Sequence, residues 1–312
     1  MALGGDSVIE LNIRTIIGSG NQGNVYCARR MDTNEILALK TVHVDEQVPE
    51  KRAQLLKQLT EQLQRFLEVK HRHLVRHFAH QTITGPHPDI KSMERTTLQI
   101  LMEFCEGGSL GKYVKTNVVP ASLIQKWTQQ LVDGLAYLHE QRYVHRDVKG
   151  DNIVLSSPDA YSCDLKFTDL GDLKGIMGQS TKANELSKSR GTHPFMSPEM
   201  VSESGNVGRR TDIWSLGCVI IQMVTGRPPR FFREREEVLG DAPTMFFVAS
   251  GGQPAMPAGL PDLLQRFIER CLIRNVDGRP YAPQLLSDPF LLATNAAEWP
   301  LPNRKDLWTS HG

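Results

Sequence analysis

The sequence predicts an α+β chain of two lobes, a small antiparallel sheet with one helix followed by a larger, mainly helical part. Three observations predict it. Residues 8–17 (VIELNIRTII) are rich in β-branched side chains, and the glycine-rich turn Gly18-Ser19-Gly20-Asn21-Gln22-Gly23 leads straight into another strand pattern. Residues 49–70 carry Leu55, Leu56, Leu59, Leu63, Phe66 and Leu67, spaced mostly by three and four, which is an amphipathic helix. Beyond Gly107-Gly108 the patterns turn helical.

In chain order, residues 24–30 and 35–44 read as the second and third strands. A dinucleotide site needs a helix after its GxGxxG, and Val25-Tyr26-Cys27-Ala28 reads as a strand, so the context argues against NAD. After the helix, residues 73–80 and 97–104 read as further strands. The polar TGPHPDIKSMER between them, with Gly85, Pro86 and Pro88, reads as an exposed loop. Residues 122–141 place Leu123, Trp127, Leu131, Leu135 and Leu138 on one helical face, and residues 212–225 and 260–274 are further helices. Short strands and a polar stretch over 169–199 lie between. The core pattern ends near Phe290-Leu291-Leu292. The expected organisation is an extension over 1–9, a domain over 10–292 divided at 105/106, and a tail over 293–312.

Composition narrows the function. The 312 residues hold 36 Lys plus Arg against 35 Asp plus Glu, a net charge of +1, which excludes a strongly basic nucleic-acid binder as a description of the whole chain. Five cysteines, none in a CxxC pair, fit a reducing compartment better than a disulfide or zinc scaffold. The N-terminus lacks the basic and apolar regions of a secretory signal, and the apolar run near residues 218–224 is too short for a bilayer. A cytoplasmic chain is expected, without nucleic-acid or membrane partners.

The chemistry lies in the motifs. His145-Arg146-Asp147-Val148-Lys149-Gly150-Asp151-Asn152, the upstream glycine turn and Ala38-Leu39-Lys40 together resemble a eukaryotic protein kinase. Asp169-Leu170-Gly171, Ser197-Pro198-Glu199 and Asp212-Ile213-Trp214-Ser215-Leu216-Gly217 follow in that family's order, so the resemblance covers roughly residues 10–292 and implies the bilobal kinase fold with ATP between the lobes. Within kinases the chain looks most like the Ste group, particularly the MAP kinase kinase kinases. That likeness implies a protein substrate phosphorylated on Ser or Thr, MAP kinase kinases as its class, and an upstream activating kinase or scaffold as partner.

Phosphoryl transfer is mostly positioning and charge stabilisation, and each motif has a part in it. By resemblance Ile17, Gly18, Ser19, Gly20 and Gly23 form the lid over the triphosphate, where glycines let backbone N–H groups come close. Lys40, in an apolar strand, would meet the α and β phosphates as a point charge. Asp147 is the expected base or orienter of the substrate hydroxyl, and Lys149 would offset charge on the transferring group. Asn152 and Asp169 supply oxygen donors suited to Mg²⁺. Met102 is the gatekeeper by resemblance, with the backbone of Glu103 and Cys105 on adenine and Val25, Ala38 and Val154 against its ring. Glu199 with Arg279, and Asp212, match charged residues of the family that support architecture.

The pattern is broken at one chemical position. The family pairs its strand lysine with a glutamate on the first helix. Counting back from His71-Arg72-His73-Leu74-Val75 lands on Gln62, a register that also puts Phe66 and Val69 at apolar positions; Glu61 is the other candidate. A neutral partner motivates the alternative of a pseudokinase or scaffold module with weak phosphotransfer. Gln22 and Leu170 are apolar-for-aromatic or polar-for-aromatic changes that remove no reacting group. His71, His73, His77 and His80 lack Cys or acidic co-ligands nearby, and by resemblance His71 occupies a kinase position where His is common, so a metal site is not expected. Ser187 or Ser189 is the expected site of an activating phosphate, with Arg146 as its receiver.

Overall fold

The computed structural model describes residues 9–20, 23–44, 48–86, 94–169, 193–202, 207–231 and 241–307. These form two compact units: one holds the described residues up to His71 and Val75–Glu106, the other Arg72–Leu74 and the described residues from Gly107 onward.

The first unit is a five-stranded antiparallel sheet in the order β1-β2-β3-β5-β4. Its strands are β1 (Leu11–Gly20), β2 (Gly23–Arg30), β3 (Ile36–Val44), β4 (His77–Pro86) and β5 (Glu94–Glu103). Residues directly opposite in a ladder share a face, and so do alternate residues of one strand. Val25 pairs with Lys40, Cys27 with Ala38, and Ala38 with Met102, so Val25, Cys27, Ala38, Lys40, Ile100 and Met102 line one face. Leu37, Leu39, Leu101, Ala28 and Ala79 line the other and form a buried apolar cluster closed by Ile9.

The helix α1 (Pro49–Phe66) starts with proline at its first turn, where no backbone donor is lost, and buries Leu59, Gln62, Leu63 and Phe66. It stops four residues short of the expected 70. Glu68 and Val69 donate to Arg65 and Phe66, three residues back, which tightens and ends the last turn.

Two strand readings need correction. The expected strand at 73–80 begins only at His77, because the backbone at His73 and Leu74 pairs instead with Phe167 of the second unit. Part of the expected loop is strand: β4 runs to Pro86 and β5 starts at Glu94, with Gly85 opposite Arg95. β4 is an edge strand, so Pro86 removes no ladder bond the sheet requires. Residues 87–93 lie outside the described ones.

The second unit contains α2 (Leu110–Thr116), α3 (Ala121–Glu140) and a two-stranded ribbon of β6 (Ile153–Leu155) and β7 (Leu165–Phe167). It continues with α4 (Pro198–Val201), α5 (Arg209–Thr225), α6 (Asp241–Ala249), α7 (Asp262–Cys271), α8 (Ala282–Leu285) and α9 (Pro289–Leu292). Almost every residue of α5 from Thr211 on is buried, so it is the core helix of this unit rather than an amphipathic one. The thiols of Cys218 on α5 and Cys271 on α7 are pushed up by that burial, which keeps them inert.

Two features lock this unit. Arg279 meets Glu199 in a forked pair of 2.8 and 3.1 Å, both side chains buried, and Arg279 also donates to the carbonyls of Ile273 and Arg210. Burial pushes the Glu199 carboxyl up, but the hydrogen bonds and charge of Arg279 outweigh it and hold the carboxyl below its usual range. The second lock is the stretch after α9, which is no free tail. Its apolar side chains have seats: Trp299 stacks on Phe290 with ring centroids 5.8 Å apart, and Ala296 and Leu307 are buried. Arg304 donates to the Val224 carbonyl at 3.2 Å, at the end of α5, and to Asn117 at 2.8 Å, at the end of α2. A cation there complements both helix C-termini.

Two outcomes follow. Arg304→Ala leaves these carbonyls short of a charged donor and should cost about 1–3 kcal/mol in urea unfolding; an unchanged midpoint would show the seat to be idle. Glu199→Gln strands a buried guanidinium and should cost ~3–5 kcal/mol at neutral pH. Because the folded carboxyl is depressed, its contribution is present above the unfolded value of about 4.3 and is lost as pH falls through the folded value. The gap between wild type and variant, followed by fluorescence of Trp127 and Trp214, should therefore narrow below about pH 4. A gap that stays constant into that range counts against the charged pair.

Candidate active site

The residues expected to hold a nucleotide divide between the two units. In the first, the sheet register brings Val25, Ala38, Lys40 and Met102 to one face, with Met102 buried. The glycine lid is built by β1 and β2, with Gly18 opposite Val25 and Gly20 opposite Gly23. Ile17 stands exposed on a bulge before Gly18, and Ser19 donates its hydroxyl to the Asn24 side chain at 2.8 Å. Gly23 is required by space: a Cβ there would lie 1.9 Å from the Thr41 carbonyl oxygen, on a φ of +147°. Thr41 also ties down Asn24, accepting from its N–H and donating to its carbonyl, both at 3.1 Å. The residue after Lys40 thus anchors the base of the lid, a role sequence reasoning did not assign.

The α1 register turns Gln62, not Glu61, inward. Gln62 is buried on the inner face of α1 while Glu61 is exposed, and Phe66 and Val69 are buried as that register requires. The Gln62 Oε1 has no hydrogen-bond partner among the described residues, so the expected bond from Lys40 is not made through that oxygen. At the end of β5, Glu103 donates its N–H to the Arg76 carbonyl at 2.9 Å, and its carboxylate accepts from the Arg76 N–H at 3.2 Å. Cys105, half-buried and in no disulfide, lies just beyond.

The second unit holds the residues expected to take part in the reaction. Asp147 is buried, and Asn152 donates its Nδ2 to the Asp147 carboxylate at 2.7 Å and to the Asp147 carbonyl at 2.9 Å. Lys149 Nζ lies 3.2 Å from the other carboxylate oxygen. Three charged or polar side chains within six residues converge because the chain turns sharply: Arg146 takes a left-handed φ of 62° and residues 150–152 form a 3₁₀ turn. Asp212, fully buried on α5, enforces that turn. Its Oδ1 accepts from the Arg146 N–H, and its Oδ2 from the His145 N–H and from His139 Nε2, all at 2.8 Å.

The His145 ring reaches the Thr168 carbonyl at 3.0 Å, and Thr168 donates its N–H to the Asn152 carbonyl at 2.9 Å. Asp169, next along, also has a left-handed φ, 58°. Arg146, beside the predicted Asp147, and Asp169, itself a predicted site residue, show the kind of local strain found at functional sites. Asn152 turns its amide nitrogen to Asp147, and its oxygen therefore away from it. An amide oxygen and a carboxylate, the donors Asn152 and Asp169 would offer, are hard oxygen ligands of the kind that suits Mg²⁺ rather than zinc. Val154 lies in β6 opposite Lys166 and bridges Ser109.

His139 and the ring of His145 were missed as supports. The signal was available, since Tyr137-Leu138-His139 ends α3 six residues before His145. His73 donates its Nδ1–H to the Leu165 carbonyl, 3.0 Å away, and His77 stacks on Phe66, so these two serve packing in separate units. Gln22, Leu170, Ser187 and Ser189 lie outside the described residues.

The protein kinase domain family model matches residues 11–291. Among curated proteins, the mitogen-activated protein kinase kinase kinase 19 of Mus musculus is 32% identical over 284 residues, covering 88% of this chain and 20% of that protein. The MAP kinase kinase kinase SSK2 of Saccharomyces cerevisiae is 31% identical over 318 residues, 89% of this chain and 18% of that protein. The mitogen-activated protein kinase kinase kinase 3 of Arabidopsis thaliana is 32% identical, covering 89% of this chain and 42% of that protein. The chain thus spans about a fifth of the first two relatives and less than half of the third. With the motifs in order along both units, the chain belongs to the protein kinase domain family and, within it, resembles the MAP kinase kinase kinases.

Proposed function

We propose that the chain is a protein serine/threonine kinase that transfers the γ-phosphate of MgATP to a protein hydroxyl, with MAP kinase kinases as its substrate class. The observation that carries the reading is the buried Asp147 carboxylate, held by Asn152 at 2.7 Å and Lys149 at 3.2 Å on a loop pinned by Asp212. Such a carboxylate is oriented before substrate arrives, so it can accept the hydroxyl proton without reorganising. Lys149 supplies positive charge where the phosphoryl group passes. Mg²⁺, held by Asn152 and Asp169, would neutralise the phosphate oxygens. Lys40 would orient the α and β phosphates from the sheet face it shares with Val25, Ala38 and Met102. The Glu103 N–H is already spent on Arg76, so the part in adenine recognition that the resemblance gives Glu103 falls to its carbonyl.

The relatives' names support the substrate class, and Lys149 in its place after Asp147 supports Ser/Thr over Tyr. An upstream kinase or a scaffold would supply activation, through Ser187 or Ser189. No helix among the described residues is long and apolar enough to cross a membrane, and a cytoplasmic setting accords with the free thiols.

One observation favours a second reading, a pseudokinase or scaffold: the buried, uncharged Gln62 at the place of the helix glutamate. Two measurements separate the readings. Transfer of labelled γ-phosphate to inactive MAP kinase kinases should drop by about 10²–10⁴ in Asp147→Asn, and phosphoamino-acid analysis should show Ser or Thr. Equal signal from wild type and variant leaves only the scaffold. Gln62→Glu would offer Lys40 a charged partner on α1, a charge-assisted bond worth ~1 kcal/mol or about fivefold in kcat/KM for ATP. No gain would mean that Lys40 does not depend on this position.

A further inference from the structure

β1 is the outer strand of the first unit's sheet, so one of its edges has no neighbour in that sheet. Exposed edges are usually blunted by proline, lysine or a covering segment. Residues 11–17 of β1 hold a single charge, Arg14, and no proline. Their apolar side chains stand out: Ile13 is 49% exposed, Ile16 58%, and Met31 next to β2 57%. An open groove at this strand is lined by Glu10, Leu11, Asn12, Ile13 and Met31.

The ladder fixes where the backbone points. Met31 donates its N–H to the Glu10 carbonyl at 3.0 Å, and Asn12 pairs with Arg29 two positions along. Bonded positions alternate in an antiparallel ladder. Glu10 and Asn12 thus spend their backbone groups on the β2 side, while Leu11 and Ile13 present theirs to the open edge. The side chains of the same stretch are self-complementary. Glu10 and Arg14 stand symmetrically about Asn12, both exposed, and neither forms an ion pair with another described residue.

We propose that two copies of this chain associate through β1, antiparallel about Asn12, continuing one sheet into the other. Glu10 of each copy then meets Arg14 of the other, and Leu11 faces Ile13, the two positions whose backbone groups point outward. A register one residue away opposes outward groups to spent ones, and two residues away leaves no charge opposite a charge. Leu11 already packs on the apolar cluster, and Ile13, opposite Ala28, shares its face, so the second copy covers both. The bulge between Ile13 and Thr15 ends the stretch. The interface is therefore small and the dimer weak, with a dissociation constant on the order of 100 µM. None of the residues proposed to bind nucleotide takes part, so the test does not depend on catalysis.

The test is sedimentation velocity of the full 312-residue chain, from about 5 to 500 µM, where a monomer–dimer equilibrium is expected. Arg14→Glu sets like charges opposite each other at both ends of the stretch and should weaken the dimer at least about fivefold; adding Glu10→Arg should restore it to within about twofold. Register is read by cross-linking with diamide, which takes up the hydrogens of two thiols as their disulfide forms. Asn12→Cys brings two thiols together across the dyad, on Cα atoms ~4.5 Å apart and within a disulfide's span. Ile13→Cys leaves them more than about 7 Å apart. The first should give at least about tenfold more covalent dimer than the second or than wild type, whose half-buried Cys27 and Cys105 set the background. Should a charge variant fail to fold, wild-type sedimentation and the two cysteine variants, both at exposed positions, decide. A chain that stays monomeric throughout overturns the proposal. So does a dimer that Arg14→Glu leaves unchanged, a charge swap that fails to restore it, or equal cross-linking of the two cysteine variants. A monomer that binds a fluorescein-labelled TVTVTV strand saturably overturns it too, and assigns the edge to a different protein.

Discussion

One carboxylate organises the second unit. Asp212 sits fully buried on the core helix α5 and accepts three hydrogen bonds, from His139, His145 and Arg146. An ionised group so deep is tolerated only when donors surround it. Two of those donors are consecutive backbone N–H groups, and a single carboxylate can meet both only if the chain turns sharply there. The left-handed φ of Arg146 is that turn. Its cost, of order 1–3 kcal/mol, is offset by the buried bonds and fixes the direction in which Asp147 leaves the loop. The arrangement of Asn152 and Lys149 around Asp147 is downstream of that one contact.

The sheet of the first unit solves a different problem, giving its two faces different tasks. Strict alternation does the sorting: Ala38 and Lys40 point one way, Leu37 and Leu39 the other. Gly23 and Thr41 couple the lid to this order, since the lid's base rests on the backbone of the residue following Lys40. A slip of one residue in β3 would exchange the lysine face with the apolar cluster, so the register needed for packing is also the register that places Lys40.

Much of this was legible because periodicity and motif order report local constraints. The α1 register could be found by phase: Phe66 and Val69 must face inward, and that turned Gln62 rather than Glu61 to the core. The pair of Glu199 and Arg279 and the role of Asp212 followed from resemblance and have the geometry expected. What escaped depended on partners distant in sequence. Nothing local in Thr84-Gly85-Pro86 marks a strand; it is one because β5 templates it at a sheet edge where proline is harmless. Arg304 reads as a solvated charge until the carbonyls of Val224 and Asn117 are brought beneath it.

Gln62 shows how a single neutral substitution shifts the balance between folding and control. A glutamate buried on α1 would carry a desolvation penalty of several kcal/mol unless a cation met it, so α1 would be bound to Lys40 for its stability. An amide with one unsatisfied oxygen costs only ~1–3 kcal/mol, and the helix can keep its packing through Leu59, Leu63 and Phe66 alone. The position of α1 is then set by apolar burial, which is non-directional, rather than by a charge pair that admits one geometry. For a kinase, that frees the helix to be placed by whatever binds the rest of its unit. A pairing of Lys40 with this position, were one made, would lack the strength of a charge-assisted bond, so less binding energy would be needed to move the helix.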